Sequence, residues 1–199
     1  MLIIQEHQSD KYTPRTYYNA KSADLTLAVA LDLNTPGEKC TQKAASPHYL
    51  GVKINTQSVP IEVARLWYKA IKQEKAHSIN IAGNGIYTLS KSGISQEWMN
   101  RFIYEALSKV FEHHPIQKIY TGGQTGVDLA GAVAGYCLNI DTEVTLPKGF
   151  IQRFEDKQDV SGTQDGIMKQ ILMGAKQLTT SLKLAEKSTP NPLPKKQMR

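Results

Sequence analysis

Hydrophobic positions along this chain switch repeatedly between a period of two and a period near 3.6. Leu25, Leu27, Val29 and Leu31 alternate with Thr26, Ala28, Ala30 and Asp32, which predicts a strand over Leu25–Leu33 buried on at least one face. Asn34-Thr35-Pro36-Gly37 breaks that run; a short helix is expected over Glu38–Ala45 and a second strand over Tyr49–Ile54. Behind Ser58-Val59-Pro60, the residues Ile61, Ala64, Trp67, Tyr68 and Ile71 recur at helical spacing, so an amphipathic helix is predicted to Lys75 with Trp67 in the core. Ser78–Ala82 predicts a third strand. Ser95 is a suitable N-cap for a helix over Gln96–His113, whose apolar stripe is Trp98, Phe102, Ile103, Ala106, Leu107, Val110 and Phe111. A strand over Ile116–Tyr120, a small-residue helix from Val127 to the Tyr136–Asn139 region, a strand over Thr142–Leu146 and a helix over Thr163–Leu184 complete the pattern.

Strands and helices therefore alternate, the signature of an α/β fold: Rossmann-like, with a mainly parallel sheet of about five strands flanked by helices. Residues 23–186 read as a single such domain. Residues 1–22, polar with Tyr12, Tyr17 and Tyr18, read as an N-terminal arm or a disordered leader. Residues 187–199 read as a disordered basic tail, proline-rich and polar.

Charge and cysteine usage narrow the function classes. The net charge is +6, but residues 183–199 alone carry five basic side chains against Glu186, leaving 19 basic and 17 acidic residues elsewhere. The excess is a tail rather than a face, which argues against nucleic acid as a partner. Cys40 and Cys137 stand alone, so neither a disulfide framework nor a structural zinc is expected. His113-His114 before Pro115 suits a helix C-terminus rather than a metal. No membrane span or signal peptide is apparent, and a cytoplasmic location is expected.

The candidate chemistry sits at two glycine loops. Thr121-Gly122-Gly123-Gln124-Thr125-Gly126 joins a predicted strand to a predicted helix that opens Val127-Asp128. Free helix N-terminal amides, a helix dipole and closely approaching glycines form an anion site. Gly83-Asn84-Gly85 ends the preceding strand, and the crossover rule puts both loops on one edge of the sheet, as two walls of one cleft. The stretch Asn84–Ile94 reads as a long binding loop. The expected ligand residues are Gly83, Asn84, Gly85, Gly122, Gly123, Gln124, Thr125, Gly126, Asp128, Lys148 and Arg153, with Lys148 and Arg153 paired to phosphate.

On these residues the unit 78–149 resembles the Rossmann-like superfamily called SLOG. That superfamily includes the DNA-processing protein DprA, the LOG-type phosphoribohydrolases and molybdenum-cofactor carrier proteins. Gly122-Gly123-Gln124-Thr125-Gly126-Val127-Asp128 and Pro147-Lys148-Gly149 are most similar to the carrier group. The resemblance implies a nucleotide, a nucleotide-derived signal molecule or molybdenum cofactor as ligand, and a homo-oligomer. LOG-type enzymes carry a PGGxGTxxE motif whose glutamate serves hydrolysis. Here Thr121 precedes the glycine pair and Leu129, Ala130 and Gly131 follow Asp128, so that activity does not carry over. Asp128 is the one catalytic candidate at the turn, with Glu143 the only other nearby acid. The leading expectation is a protein that binds a small anionic metabolite, as carrier, sensor or sequestering agent. The alternatives are a hydrolase acting on a nucleotide's glycosidic or phosphate bond and a single-stranded-DNA binder of the DprA kind.

Overall fold

The computed structural model describes residues 1–188. In chain order the elements are β1 (Leu2–Glu6), α1 (Tyr12–Ser22), β2 (Leu25–Ala30), α2 (Pro36–Ala45), β3 (Tyr49–Lys53), α3 (Pro60–Glu74), β4 (Ser78–Gly83), α4 (Ile86–Leu89), α5 (Gln96–Phe111), β5 (Lys118–Thr121), α6 (Val127–Cys137), β6 (Asp141–Leu146), β7 (Gln152–Arg153), β8 (Asp159–Val160) and α7 (Gln164–Ser188). β1 to β6 form one parallel sheet in the order β1-β6-β5-β4-β2-β3, and β7 and β8 form a small antiparallel hairpin. This is an α/β, Rossmann-like architecture.

The N-terminal segment differs from the expected arm. Residues 2–6 pair with β6 from Leu2↔Thr142 to Glu6↔Leu146 and become an edge strand, and residues 12–22 form a helix. Five residues with exposed Ile3 and a partner some 140 positions away leave no local trace. The expected loop 84–94 is also more ordered than foreseen: α4 and a single 3-10 turn at Ser90–Ser92 occupy most of it. The expected tail lies outside the described residues from residue 189 onward.

The two faces of the sheet are unlike. Leu25, Leu27 and Val29 of β2, Ile79 and Ile81 of β4 and Ile119 of β5 bury themselves with α3, α5 and α6. Ile4, Val144 and Leu146 pack with α6 and α7. Among the described residues, α1 and α2 cover the other face, and it is polar. Asn80 donates to Thr26 Oγ1 at 3.2 Å, and Gln5 donates to Glu143 Oε1 at 3.0 Å and Thr145 Oγ1 at 3.1 Å. Small residues in α6 bring it close to the sheet: a Cβ at Gly131 would stand 2.7 Å from Ile81 Cγ2. Hydrophobic burial thus holds one layer, whereas the α1–α2 layer leans on hydrogen bonds between side chains.

The connections also differ by face. α2 leads from β2 outward to β3 on the polar face, while α5 leads from β4 the other way on the apolar face. The chain therefore diverges between the carboxyl ends of β2 and β4. That is a topological switch point, the place where open parallel sheets form a ligand crevice.

Candidate functional site

β5 ends at Thr121, whose Oγ1 donates to Asp128 O at 2.7 Å and ties the start of α6 to the strand. The two glycine loops are neighbours, as the topology requires. They are joined directly rather than facing across a cleft: Gly85 and Gly126 form an antiparallel bridge, Ile86 N donates to Thr125 O at 3.0 Å and Val127 N to Asn84 O at 3.2 Å. Gly126 has φ 103°, and a Cβ there would lie 2.5 Å from Asn84 O. Only glycine fits.

The protein's own side chains close this turn. Gly126 N donates to Gln96 Oε1 at 2.6 Å, and Gln96 Nε2 donates to Gly126 O at 2.9 Å. Gln124 Nε2 donates to Ile151 O at 2.7 Å, and its Oε1 accepts from Arg153 N at 2.9 Å. Thr125 Oγ1 donates to Arg153 O, and Gln152 Nε2 to Gly123 O at 2.7 Å. Gln124 and Thr125, expected to meet a ligand, instead fasten the β7–β8 hairpin across the turn. The open cradle of free amides that the sequence suggests is not the geometry found at Gly126.

Asp128 is buried and paired with an equally buried cation, Arg15 Nη1, at 3.0 Å. The guanidinium lies against Gly122, where any Cβ would overlap it. Burial pushes the Asp128 carboxyl above its ordinary value against the pull of Arg15. Beside it stands a second buried acid. Glu38, in the first turn of α2, is 3% exposed and accepts from Asn84 Nδ2 at 3.0 Å, while Asn84 Oδ1 accepts from Leu31 N at 2.8 Å. Asn84 thereby bridges β2, β4 and α2 at the switch point. Burial, reinforced by the charge of Asp128, raises the Glu38 carboxyl from 4.5 to about 7. Among the described residues, Arg15 Nε, Glu38 Oε2 and Asn19 Oδ1 are buried without a hydrogen-bond partner, as is Trp67 Nε1 in the apolar core. Buried polar atoms are nearly always paired, so three in one layer call for a reason.

Above this cluster the carboxyl edge carries aromatic rings with cations beside them. Arg153 binds Asp159 through Nε and Nη2 at 2.8 and 2.7 Å, and its Cζ stands 5.3 Å from the Tyr12 ring centroid. Tyr12 donates to Asp159 Oδ1 at 2.8 Å; burial first, then Asp159, pushes its phenol up to about 12. Lys91 and Lys157 stand 3.9 and 5.6 Å from the Tyr87 ring centroid. Lys148 is exposed, with its backbone N–H bonded to Ser9 O at 2.9 Å. Glu143 is held on the polar sheet face by Lys118 at 2.8 Å, Tyr18 at 2.9 Å and Gln5.

The predicted residues 83–85, 122–126 and 128 therefore meet at one edge, and the Arg153 backbone joins them. Arg15, Asn19, Glu38, Gln96 and Gln152 were not foreseen. Arg15 and Glu38 are ordinary helix-surface types whose burial has no local signature. No cluster of three or more potential metal ligands occurs among the described residues, and no described helix is long and apolar enough to cross a membrane. A groove of about 920 Å³ opens at the amino edge between α6 and α7, lined by Tyr104, Tyr136, Leu172 and Leu182 among others. It is remote from the buried carboxylates, and its charged groups are the Met1 ammonium, paired with Asp141, and the side chains of Lys176 and Lys183. No protein-family model, curated protein or solved structure matches this chain.

Proposed function

We propose that the protein binds a small anionic metabolite of the nucleotide class at the carboxyl edge of its sheet, in the crevice between β2 and β4. The observation that carries this is the buried polar cluster at the topological switch point, Arg15 paired with Asp128 and Glu38 with Asn84, in which Arg15 Nε and Glu38 Oε2 are left without a partner. The similarity of residues 122–128 to the SLOG carriers supports the same edge. The glycines alone do not, because packing accounts for Gly122 and Gly126. Lys91, Lys148 and Lys157 supply exposed positive charge for phosphate. A carrier, sensor or sequestering role follows from such a site. Titrating the protein with nucleoside mono- and diphosphates while following its thermal unfolding tests the proposal. A concentration-dependent rise in Tm with at least one nucleotide, absent with inorganic phosphate, is expected. No shift with any of them, and no small molecule in mass spectra of the purified protein, would refute it.

A hydrolase is the second reading because Glu38 lies near Asp128. Two carboxyls with different partners, one of them near neutral pKa, are the usual arrangement for an acid and a base. Release of free base or phosphate from a bound nucleotide, lost on Glu38→Gln, would favour it over a pure binder.

A further inference from the structure

The groove at the amino edge has walls of unlike chemistry. Its volume of about 920 Å³ is within the roughly 300–1,000 Å³ usual for small-molecule sites. Its apolar part is made by Leu178, Leu182 and Ile140, beside Leu172, which is 40% exposed. α7 sets Lys176 and Lys183 along the rim. Positions 172, 176, 179 and 183 are four, three and four residues apart, so they share one face of the helix. The two lysines stand about 10 Å apart along the axis, and their flexible stems let both ammoniums reach one group between them. Among the described residues, neither lysine has an ion-pair partner and no carboxylate lines the groove. The Ala134, Gly135 and Tyr136 carbonyls at the end of α6 accept from the N–H groups of Leu138, Ile140 and Asn139. That mutes the negative end of α6 where it meets the groove.

Two occupants from the chain itself fit badly. A two-fold contact must be self-complementary, and an antiparallel pair of α7 helices centred on Thr179 and Thr180 would set Lys176 of each copy against Lys183 of the other. Residues 189–199 carry Lys195, Lys196 and Arg199 and no acid, so they too would bring cation against cation. A ligand with an apolar chain and one negative head complements both walls. We propose that the groove binds a medium-chain fatty carboxylate, its chain on the apolar floor and its head held by Lys176 and Lys183. The wall from Leu172 to Lys183 is about 16 Å long, which limits an extended chain to roughly twelve carbons. This site lies at the opposite edge of the sheet from the nucleotide crevice and does not depend on it.

The test is isothermal titration of the full chain with dodecanoate, octanoate and dodecyltrimethylammonium, each below its micelle concentration. One dodecanoate per chain is expected, bound at least tenfold more tightly than octanoate, since each buried methylene is worth about fourfold. The same margin is expected over the cation with the same chain. Lys176→Glu/Lys183→Glu changes two exposed side chains and should reverse the preference between the two head groups. Thr179→Trp fills the groove without touching a charge and should weaken dodecanoate at least tenfold, which keeps the location testable if the charge variant does not fold. No saturable binding of dodecanoate, equal binding of anion and cation within twofold, or variants that bind as the natural chain does would overturn the proposal. So would binding to phosphatidylglycerol vesicles without binding of monomeric dodecanoate, the mark of a membrane-facing surface. A dimer in sedimentation that Thr179→Trp dissociates would make a second copy the occupant and overturn it equally.

Discussion

Replacing Glu38 by glutamine should make this protein more stable at pH 8 and leave it little changed at pH 4. Glu38 titrates at about 7 in the folded chain against 4.5 ordinarily, because burial and the Asp128 charge disfavour its ionised form. Between these values the folded protein keeps a proton that the unfolded chain has released. Stability is therefore fully present below about pH 4.5 and is lost as pH rises through about 7. A displacement of this size corresponds to about 3 kcal/mol, or roughly 10 °C in Tm for a domain of this length. The amide introduced by Glu38→Gln keeps an oxygen to accept from Asn84 Nδ2 and never ionises, so the variant escapes the loss. Urea unfolding of both proteins at half-unit steps from pH 4 to 8.5 measures the effect, and groups that titrate alike in the two proteins cancel in the difference. A stability difference that rises with pH and levels off above 7 is expected. Parallel pH profiles would show that Glu38 does not hold its proton in the fold.

Three other perturbations probe the same edge. Asp128→Asn strands the Arg15 guanidinium in the interior and should cost about 3–5 kcal/mol; the double variant Arg15→Leu/Asp128→Asn should recover much of that, and simple additivity in the cycle would contradict the pairing. Gly126→Ala forces a Cβ into the Asn84 carbonyl at a φ of 103° and should destabilise by about 3 kcal/mol or more, whereas Gly37→Ala, with nothing within 4 Å, should gain about 0.5 kcal/mol in a helix; thermal melts of the two variants would expose any reversal. Gln96→Ala removes both bonds to the Gly126 backbone and should cost about 1–3 kcal/mol, with faster amide exchange at Gly126; an unchanged exchange rate would show that Gln96 does not guard that amide.

Local pattern determined much of this protein. The switch between periods of two and 3.6 specified an α/β sandwich, because each element advertises its own buried face. Ser95 marked the start of α5, and its hydroxyl accepts the expected backbone N–H, from Trp98 at 3.2 Å; Thr35, read only as part of the break after β2, caps α2 in the same way, accepting from Glu38 at 3.3 Å. The two glycine loops were legible, and parallel topology was enough to put them side by side. Tertiary structure alone decided what those loops touch. Arg15 meets Asp128 across 113 positions of sequence, and Glu38 and Asn84 across 46. β1 acquires its strand partner only when β6 arrives beside it. Periodicity records which way a side chain points, but not what lies opposite. A charged residue in the first turn of a helix reads as solvent-facing until another element covers it, and at positions 15 and 38 that cover turned two unremarkable helix residues into the buried centre of the candidate site.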